Sequence, residues 1–313
     1  MPTLSIITVT FQSAGKLPNF LASTKSAAPD AECIVVDNAS ADGTARVASQ
    51  CGADRVIVSE SNLGFGRACN VGAVNSTGEW LLFANPDLTL ERIPSIRASN
   101  SSPFGIVGSS LSEKGTLHRP SLRAEAHFAE DAISQLLFRV APQGIAWLAP
   151  QRRHPSRWAS GALLLCRRDE FLNVGGFDPR FFLYFEDRDL ARKYRRVGYP
   201  LRLDPHLRGT HGHGESSSNV PSWRLQACSL ASWIEYRGIW HGASAARRTA
   251  ELSLSVLSTI CRLGKHTSDT RAQRKSAEAA EILAFLLDLE RQMPEPAGYH
   301  PVARAVLSEA RRP

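Results

Sequence analysis

Between residues 4 and 84, short apolar runs alternate with stretches in helical period, and this alternation constrains the fold more than any other feature of the chain. Residues 4–11 are a β-branched run suited to a strand buried on both faces, and an amphipathic stretch at 17–26 follows. The unit then repeats: strand 32–37, helix from Asp42-Gly43-Thr44 through Gln50, strand 55–58, helix 66–75 and strand 79–84. Strands that alternate with short helices predict right-handed crossovers and a doubly wound, mainly parallel sheet, so the fold class is α/β. Such sheets bind ligands at the carboxyl ends of their strands. The polar residues expected there are Thr8 and Thr10, Asp37 and Asn38, Asn62 with Gly64, and Asn85 with Asp87.

Periodicity is lost from 120 to 157, which reads as an insertion or lid. It returns as a strand at 158–166, a helical turn at 167–171, a Gly-Gly-Phe-Asp-Pro loop at 175–179 and a helix at 186–196 with Leu190 and Tyr194 on one face. Past His213 the chain reads as amphipathic helices at 222–236, 245–263 and 277–291, with Trp223 and Trp233 in the first and Trp240 just beyond it. Residues past Pro294 read as loosely held. The expected division is a nucleotide-binding domain over 1–220 and a helical region over 221–313.

With 43% hydrophobic and 21% charged residues, a disordered, collagenous or coiled-coil chain is excluded. The net charge is +7, and 151–210 holds 13 Lys or Arg against 7 Asp or Glu, so an anionic partner or a solvated basic face is expected there. Recognition-helix motifs are absent and strand-tip carboxylates would repel phosphate, so nucleic acid is not expected as a partner. The six cysteines are far apart, with no CxxC pair, and read as reduced thiols. With no signal sequence and no apolar run long enough to span a bilayer, the expected location is cytoplasmic.

Five motifs carry chemistry. Asp37 and Asn38 end an apolar strand, where a buried carboxylate needs donors that a base imide or ribose hydroxyl supplies; capping the next turn is the alternative. Gly64 and Gly66 precede a helix and would let backbone approach a phosphate, or serve an ordinary strand-to-helix turn. Pro86 would aim Asp87 outward as a ligand for a hard cation, or form a common turn. Glu186, Asp187 and Asp189 crowd three carboxylates at a helix start, for use as a base or on a metal, or to complement the helix dipole. The aromatics beside them, Phe177 included, suit a sugar ring. His211 ends a short strand between glycines and is suited to metal ligation, with His213 the more ordinary loop histidine.

In order and spacing these segments resemble the family 2 glycosyltransferases, and among them the rhamnosyltransferase-like branch, from about Thr3 to Trp240. The resemblance rests on Ser5 to Phe11, Val35-Val-Asp-Asn-Ala-Ser40, Asn62-Leu-Gly-Phe-Gly66, Asn70-Val-Gly72, Asn85-Pro-Asp87, Gly175-Gly-Phe-Asp178, Phe182 to Asp189, and His211. It implies the GT-A fold, with Thr8, Thr10, Asp37 and Asn38 on base and ribose, and Asn62, Gly64, Arg67 and Asn85 lining the donor pocket. It further implies Asp87 and His211 on Mg2+ or Mn2+, Asp187 as catalytic base, and Phe177, Glu186 and Asp189 on the acceptor side. Asn85 stands where the family's DXD motif has its first carboxylate, leaving Asp87 the single acidic ligand there.

The implied reaction is an inverting transfer of L-rhamnose from dTDP-rhamnose to a hydroxyl of a glycan or polyprenyl-diphosphate-linked acceptor, in cell-wall or surface polysaccharide synthesis. The Trp-bearing helices offer peripheral contact with the inner face of the cell membrane, or simple packing on the sheet. UDP- or GDP-sugars, a non-catalytic nucleotide-sugar-binding protein, and a nucleotidyltransferase using the loop 11–16 stay open as alternatives.

Overall fold

The computed structural model describes residues 3–94, 103–113, 117–124, 128–132, 135, 157–211, 220–264, 267–289 and 300–309. The expected insertion therefore lies mostly outside the described residues, as does His213. The chain divides into a sheet unit (1–125, 155–178 and 186–219) and a helical unit (126–154, 179–185 and 220–313).

The sheet unit begins with the expected alternation: β1 (Leu4–Thr10), α1 (Leu17–Ala27), β2 (Glu32–Asp37), α2 (Thr44–Gln50), β3 (Arg55–Val58), α3 (Phe65–Val74) and β4 (Trp80–Ala84). It continues with β5 (Leu88–Arg92), β6 (Ile106–Glu113), β7 (Arg119–Pro120) and β8 (Leu122–Ala124). After α4 (Phe128–Ala132), which belongs to the helical unit, come β9 (Arg157–Ala159), β10 (Leu163–Arg167), α5 (Arg168–Asn173), α6 (Glu186–Arg196) and β11 (Leu201–His211). The main sheet runs β3-β2-β1-β4-β10-β6-β11-β5, with β7 on β6, and β8 pairs with β9 separately.

The sequence alone predicts a mainly parallel sheet. The first four strands are parallel, while β10 is antiparallel to both β4 and β6, and β5 to β11. Because β6 and β11 are parallel to each other and, through β10, to β4, the ends of β1, β2, β4 and β11 share one edge. Both faces of the central strands are covered, which is why they read as unbroken apolar runs. Ile6, Val35 and Leu82 pack with Phe20 of α1 on one face; Ile7, Val36 and Phe83 pack with Ala68 and Ala73 of α3 and with Leu190 and Tyr194 of α6 on the other.

The strand expected over 158–166 is two strands. Ser160, Gly161 and Ala162 interrupt it, and β9 leaves the main sheet to pair with β8.

The helical unit also holds α7 (Ser222–His241), α8 (Ala243–Gly264), α9 (Thr270–Leu287) and α10 (Pro301–Glu309). α7 is not the amphipathic helix its sequence suggests: Ala227, Cys228 and every residue from Leu230 to Tyr236 are buried, the polar Ser232 and Glu235 among them, so it is enclosed nearly all round. Trp233 is fully buried, stacked on Phe128 with ring centroids 5.7 Å apart, while Trp223 and Trp240 are half-buried against the same core. The tail is not loose at its described end either. Glu235, buried in α7, accepts the N–H groups of Val302 and Ala303 at 2.8 and 3.0 Å and so fixes the start of α10.

The six cysteines are free thiols, four of them buried, and burial pushes Cys33 and Cys228 up to about 12. Among the described residues no helix is long and apolar enough to cross a membrane.

Candidate active site

At the shared edge, the first cluster forms where β1 and β2 end. Thr10 Oγ1 donates to Asp37 Oδ1 at 3.0 Å, and Ser40 Oγ donates to the same oxygen at 2.5 Å. Asp37 Oδ2 receives the Ser40 N–H at a longer 3.3 Å. The donors this buried carboxylate needs thus come first from its own chain, as in the turn-capping alternative, and Oδ2 keeps more of its accepting capacity. Thr8 is fully buried beneath this layer, with no hydrogen-bond partner for Oγ1 among the described residues. The expectation that Thr8 and Thr10 touch the base is therefore corrected: both are fully buried within the sheet, so neither reaches a base directly, and Thr10 acts through the Asp37 carboxylate.

Asn38 faces the neighbouring loop. Its Nδ2 donates to the Gly64 carbonyl at 3.0 Å and its Oδ1 accepts the Leu63 N–H at 3.2 Å. Asn62 Oδ1 accepts the Gly64 N–H at 2.9 Å, and Gly64 turns into α3 with φ +75° and ψ −177°, a backbone open to glycine. Gly66 has a different reason. A Cβ there would stand 2.9 Å from the Phe177 Cβ, so this glycine lets α3 pack closely rather than approach a phosphate. Arg67 follows on the first turn of α3, half-buried.

The loop after β1 is held by side chains of the loop after β2. The N–H groups of Gln12, Ser13 and Ala14 are accepted by Ser40 Oγ, Thr44 Oγ1 and Asp42 Oδ2 at 2.8, 2.9 and 3.0 Å. Three consecutive N–H groups that would have to cradle a phosphate are thus already bound, which removes the basis of the nucleotidyltransferase alternative.

The second cluster lies where β4 and β11 end. Asp87 Oδ1 and His211 Nε2 are 3.3 Å apart, both side chains largely enclosed, and Asn85 Nδ2 is 3.5 Å from the same imidazole nitrogen. Neighbouring ligands of an octahedral cation bound at 2.0–2.1 Å stand about 3.0 Å apart. The pair therefore fits two positions of a divalent cation, and among the described residues no group of three His, Cys, Asp or Glu does so alone.

The third cluster is the start of α6. Asp187, half-buried, accepts the Arg188 N–H on Oδ1 at 2.8 Å and the Gly161 N–H on Oδ2 at 3.2 Å. Burial holds its carboxyl above the usual range despite these two donors and the nearby Arg188 guanidinium. Glu186 is 5% exposed, and its Oε2 has no hydrogen-bond partner among the described residues. Burial first, and the neighbouring Asp187 charge second, push it well above the usual range. Of the pair, Asp187 has the donors that favour a carboxylate and Glu186 is the one suited to hold a proton.

Two acceptor-side expectations are corrected. Phe177 is fully buried among Phe65, Phe83 and Phe171, and Asn70 brackets its backbone with bonds of 2.8 and 2.9 Å, so it is core rather than a sugar platform. Asp189 is 1% exposed and ion-paired to Lys193 at 3.3 Å, which makes it a structural charge.

The sequence reading missed the break at Ser160, Gly161 and Ala162. Besides Gly161 N–H on Asp187, the Ala162 carbonyl accepts the Asn85 N–H at 2.9 Å, so three residues tie the second cluster to the third. The Ser-Gly pair inside an apolar run was the available signal. Two open concavities of about 430 and 410 Å³ lie elsewhere, one lined by Thr3, Gly78 and Arg167 and the other by Leu21, Cys33 and Cys51, and neither includes a residue of these clusters.

Residues 5–94 match the family described as Glycosyl transferase family 2. Over that segment the chain is similar to the family 2 glycosyltransferases. The chain is 27% identical over 307 residues to N-acetylglucosaminyl-diphospho-decaprenol L-rhamnosyltransferase of Mycobacterium tuberculosis (strain H37Rv), covering 89% of this chain and 98% of the relative. It is 25% identical over 138 residues to Rhamnosyltransferase WbbL of Escherichia coli (strain K12), covering 42% of this chain and 52% of that one. Among solved structures it resembles the mannosyltransferase PcManGT from Pyrobaculum calidifontis, in complex with GDP-Man and Mn2+, with TM-score 0.50 and 14% identity over 98% of this chain and 85% of that one. This likeness fixes the fold of the chain as GT-A.

Proposed function

We propose that this glycosyltransferase moves L-rhamnose from dTDP-rhamnose to a hydroxyl of a polyprenyl-diphosphate-linked glycan, with inversion at the anomeric carbon, in cell-wall or surface polysaccharide synthesis. The observation that carries the chemistry is the pairing, through residues 160–162, of a carboxylate held by two N–H donors with a carboxylate–imidazole pair. The likeness to a rhamnosyltransferase across most of the chain supports the sugar and the acceptor class.

In this reading Asp37, oriented by Thr10, meets the base, Asn38 and Asn62 hold the loop that carries Gly64 and Arg67 toward the donor, and Asn85 sits beside the diphosphate. Asp87 and His211 would hold Mg2+ or Mn2+, which when bound offsets charge on the leaving diphosphate. Asp187 takes the proton of the acceptor hydroxyl as that oxygen attacks the anomeric carbon and the nucleoside diphosphate departs from the opposite face. No covalent intermediate is needed.

The acceptor's lipid places the enzyme at the inner face of the cell membrane. With Trp233 buried, contact there falls to basic side chains exposed on the surface, and co-sedimentation with anionic vesicles should be lost at high salt. The test of the donor is a thermal-shift panel of dTDP, UDP, GDP and their sugars, each with and without Mn2+. Protection at a hundredfold excess over Kd is about 2.7 kcal/mol. Metal-enhanced protection strongest with dTDP-rhamnose is the expected result. A preference for a UDP- or GDP-sugar would reassign the donor, and no protection by any would overturn the reading.

A further inference from the structure

We propose that Gly161 is a positioning residue whose N–H sets the orientation and proton affinity of the Asp187 carboxylate. This rests on the reading of Asp187 as the catalytic base.

The geometry comes from both sides. The Gly161 N–H reaches Asp187 Oδ2 at 3.2 Å, complementing the Arg188 N–H on Oδ1, so each carboxylate oxygen has one backbone donor. Arg188 N–H belongs to the residue next in sequence and moves with Asp187. Gly161 is the donor that comes from another element, the break between β9 and β10, and it alone of the two fixes the carboxylate relative to the sheet. Its neighbour Ala162 accepts from Asn85, so the same short segment registers the base against the turn that carries Asp87.

The residue must be small as well as a donor. A Cβ at 161 would lie 3.2 Å from Phe65 Cε1, tighter than an ordinary contact, so a side chain there presses the segment against the Phe65 ring. A donor to the charged form favours that form, and its loss therefore raises the pH at which the carboxylate ionises.

The test is the pH dependence of kcat/KM for sugar transfer by the full chain, with folding followed by circular dichroism and donor protection. Gly161→Pro removes the N–H, and the acid limb should move up by about one pH unit, a tenfold lower rate on that limb, with the alkaline plateau least affected. Gly161→Ala keeps the N–H but displaces it, and should move the limb in the same direction by less. Adding Phe65→Leu to Gly161→Ala should return it, which keeps the test in force if the proline variant does not fold. Asp187→Asn separates the two ideas. If it has lost transfer and neither Gly161 variant moves the acid limb, or the shift is not reversed by Phe65→Leu, the role of Gly161 is overturned. If Asp187→Asn transfers at the wild-type rate, the base assignment itself fails.

Discussion

His211 Nε2 and Asp87 Oδ1 stand 3.3 Å apart although one residue ends β11 and the other follows β4. At this separation the two atoms fit neighbouring positions around one divalent cation. Asp87→Ala should lower kcat by about 10²-fold or more and abolish the part of donor protection that depends on Mn2+. His211→Ala should do the same to a smaller extent, since it removes a neutral ligand. Metal-enhanced protection that survives in Asp87→Ala would refute the assignment.

Asp187→Asn keeps the size of the side chain but turns an NH2 toward one of the two N–H donors that now meet a carboxylate. The expected outcome is a fall in kcat of about 10²- to 10⁴-fold with donor protection unchanged, measured by single-turnover transfer alongside thermal shift.

The wild-type rate should fall as pH drops through the elevated Asp187 value, because a base is useful when ionised and burial keeps this one protonated to higher pH than an ordinary Asp. Above that value kcat/KM should level off. A profile still flat well down into the acid range would contradict the buried setting of this carboxylate.

Glu186 gives a stability prediction of opposite sense to most carboxylates. Its folded-state value is raised above the unfolded one of about 4.3, so its contribution is fully present below pH 4.3 and is lost as pH rises through the folded value. Glu186→Gln should therefore melt above the wild type at pH 8, with the gap closing as pH falls. Each unit of elevation corresponds to about 1.4 kcal/mol. Melting curves across pH decide it, and a variant that melts lower at pH 8 would mean Glu186 is ionised and paired.

Gly66→Ala should destabilise by about 1–3 kcal/mol, since the new methyl meets the Phe177 Cβ at 2.9 Å in a fully buried contact. Denaturant titration measures this. An unchanged midpoint would show that α3 can move away from residue 177 freely.

The first four strands were legible in the sequence because strands covered on both faces must be continuously apolar, and so were the strand-tip residues that follow them. Meeting of Asp87 and His211 was legible only through resemblance, because their approach depends on β10 reversing direction between β4 and β6. Phe177 shows the limit of composition: an aromatic beside carboxylates suits a sugar face and a core equally, and the bracket from Asn70 that selects the core is a long-range contact. α7 misled in the other direction, since a helix surrounded by other helices has no polar face to declare it. Partners of Asp37 were hidden by their plainness, for Thr10 and Ser40 are ordinary hydroxyl residues until the strands align.

The grip of Ser40, Asp42 and Thr44 on Gln12, Ser13 and Ala14 distributes one task among three anchors, two of which, Asp42 and Thr44, are bonded to each other. Loss of Ser40 leaves two neighbours tethered, whereas loss of Asp42 also releases the Thr44 side chain that holds Ser13. Ser40 alone also touches Asp37. Drift at 42 or 44 thus alters how firmly the loop is held, whereas drift at 40 alters both that grip and the donors that meet the Asp37 carboxylate. The same turn therefore couples the rigidity of one loop to the setting of a buried carboxylate.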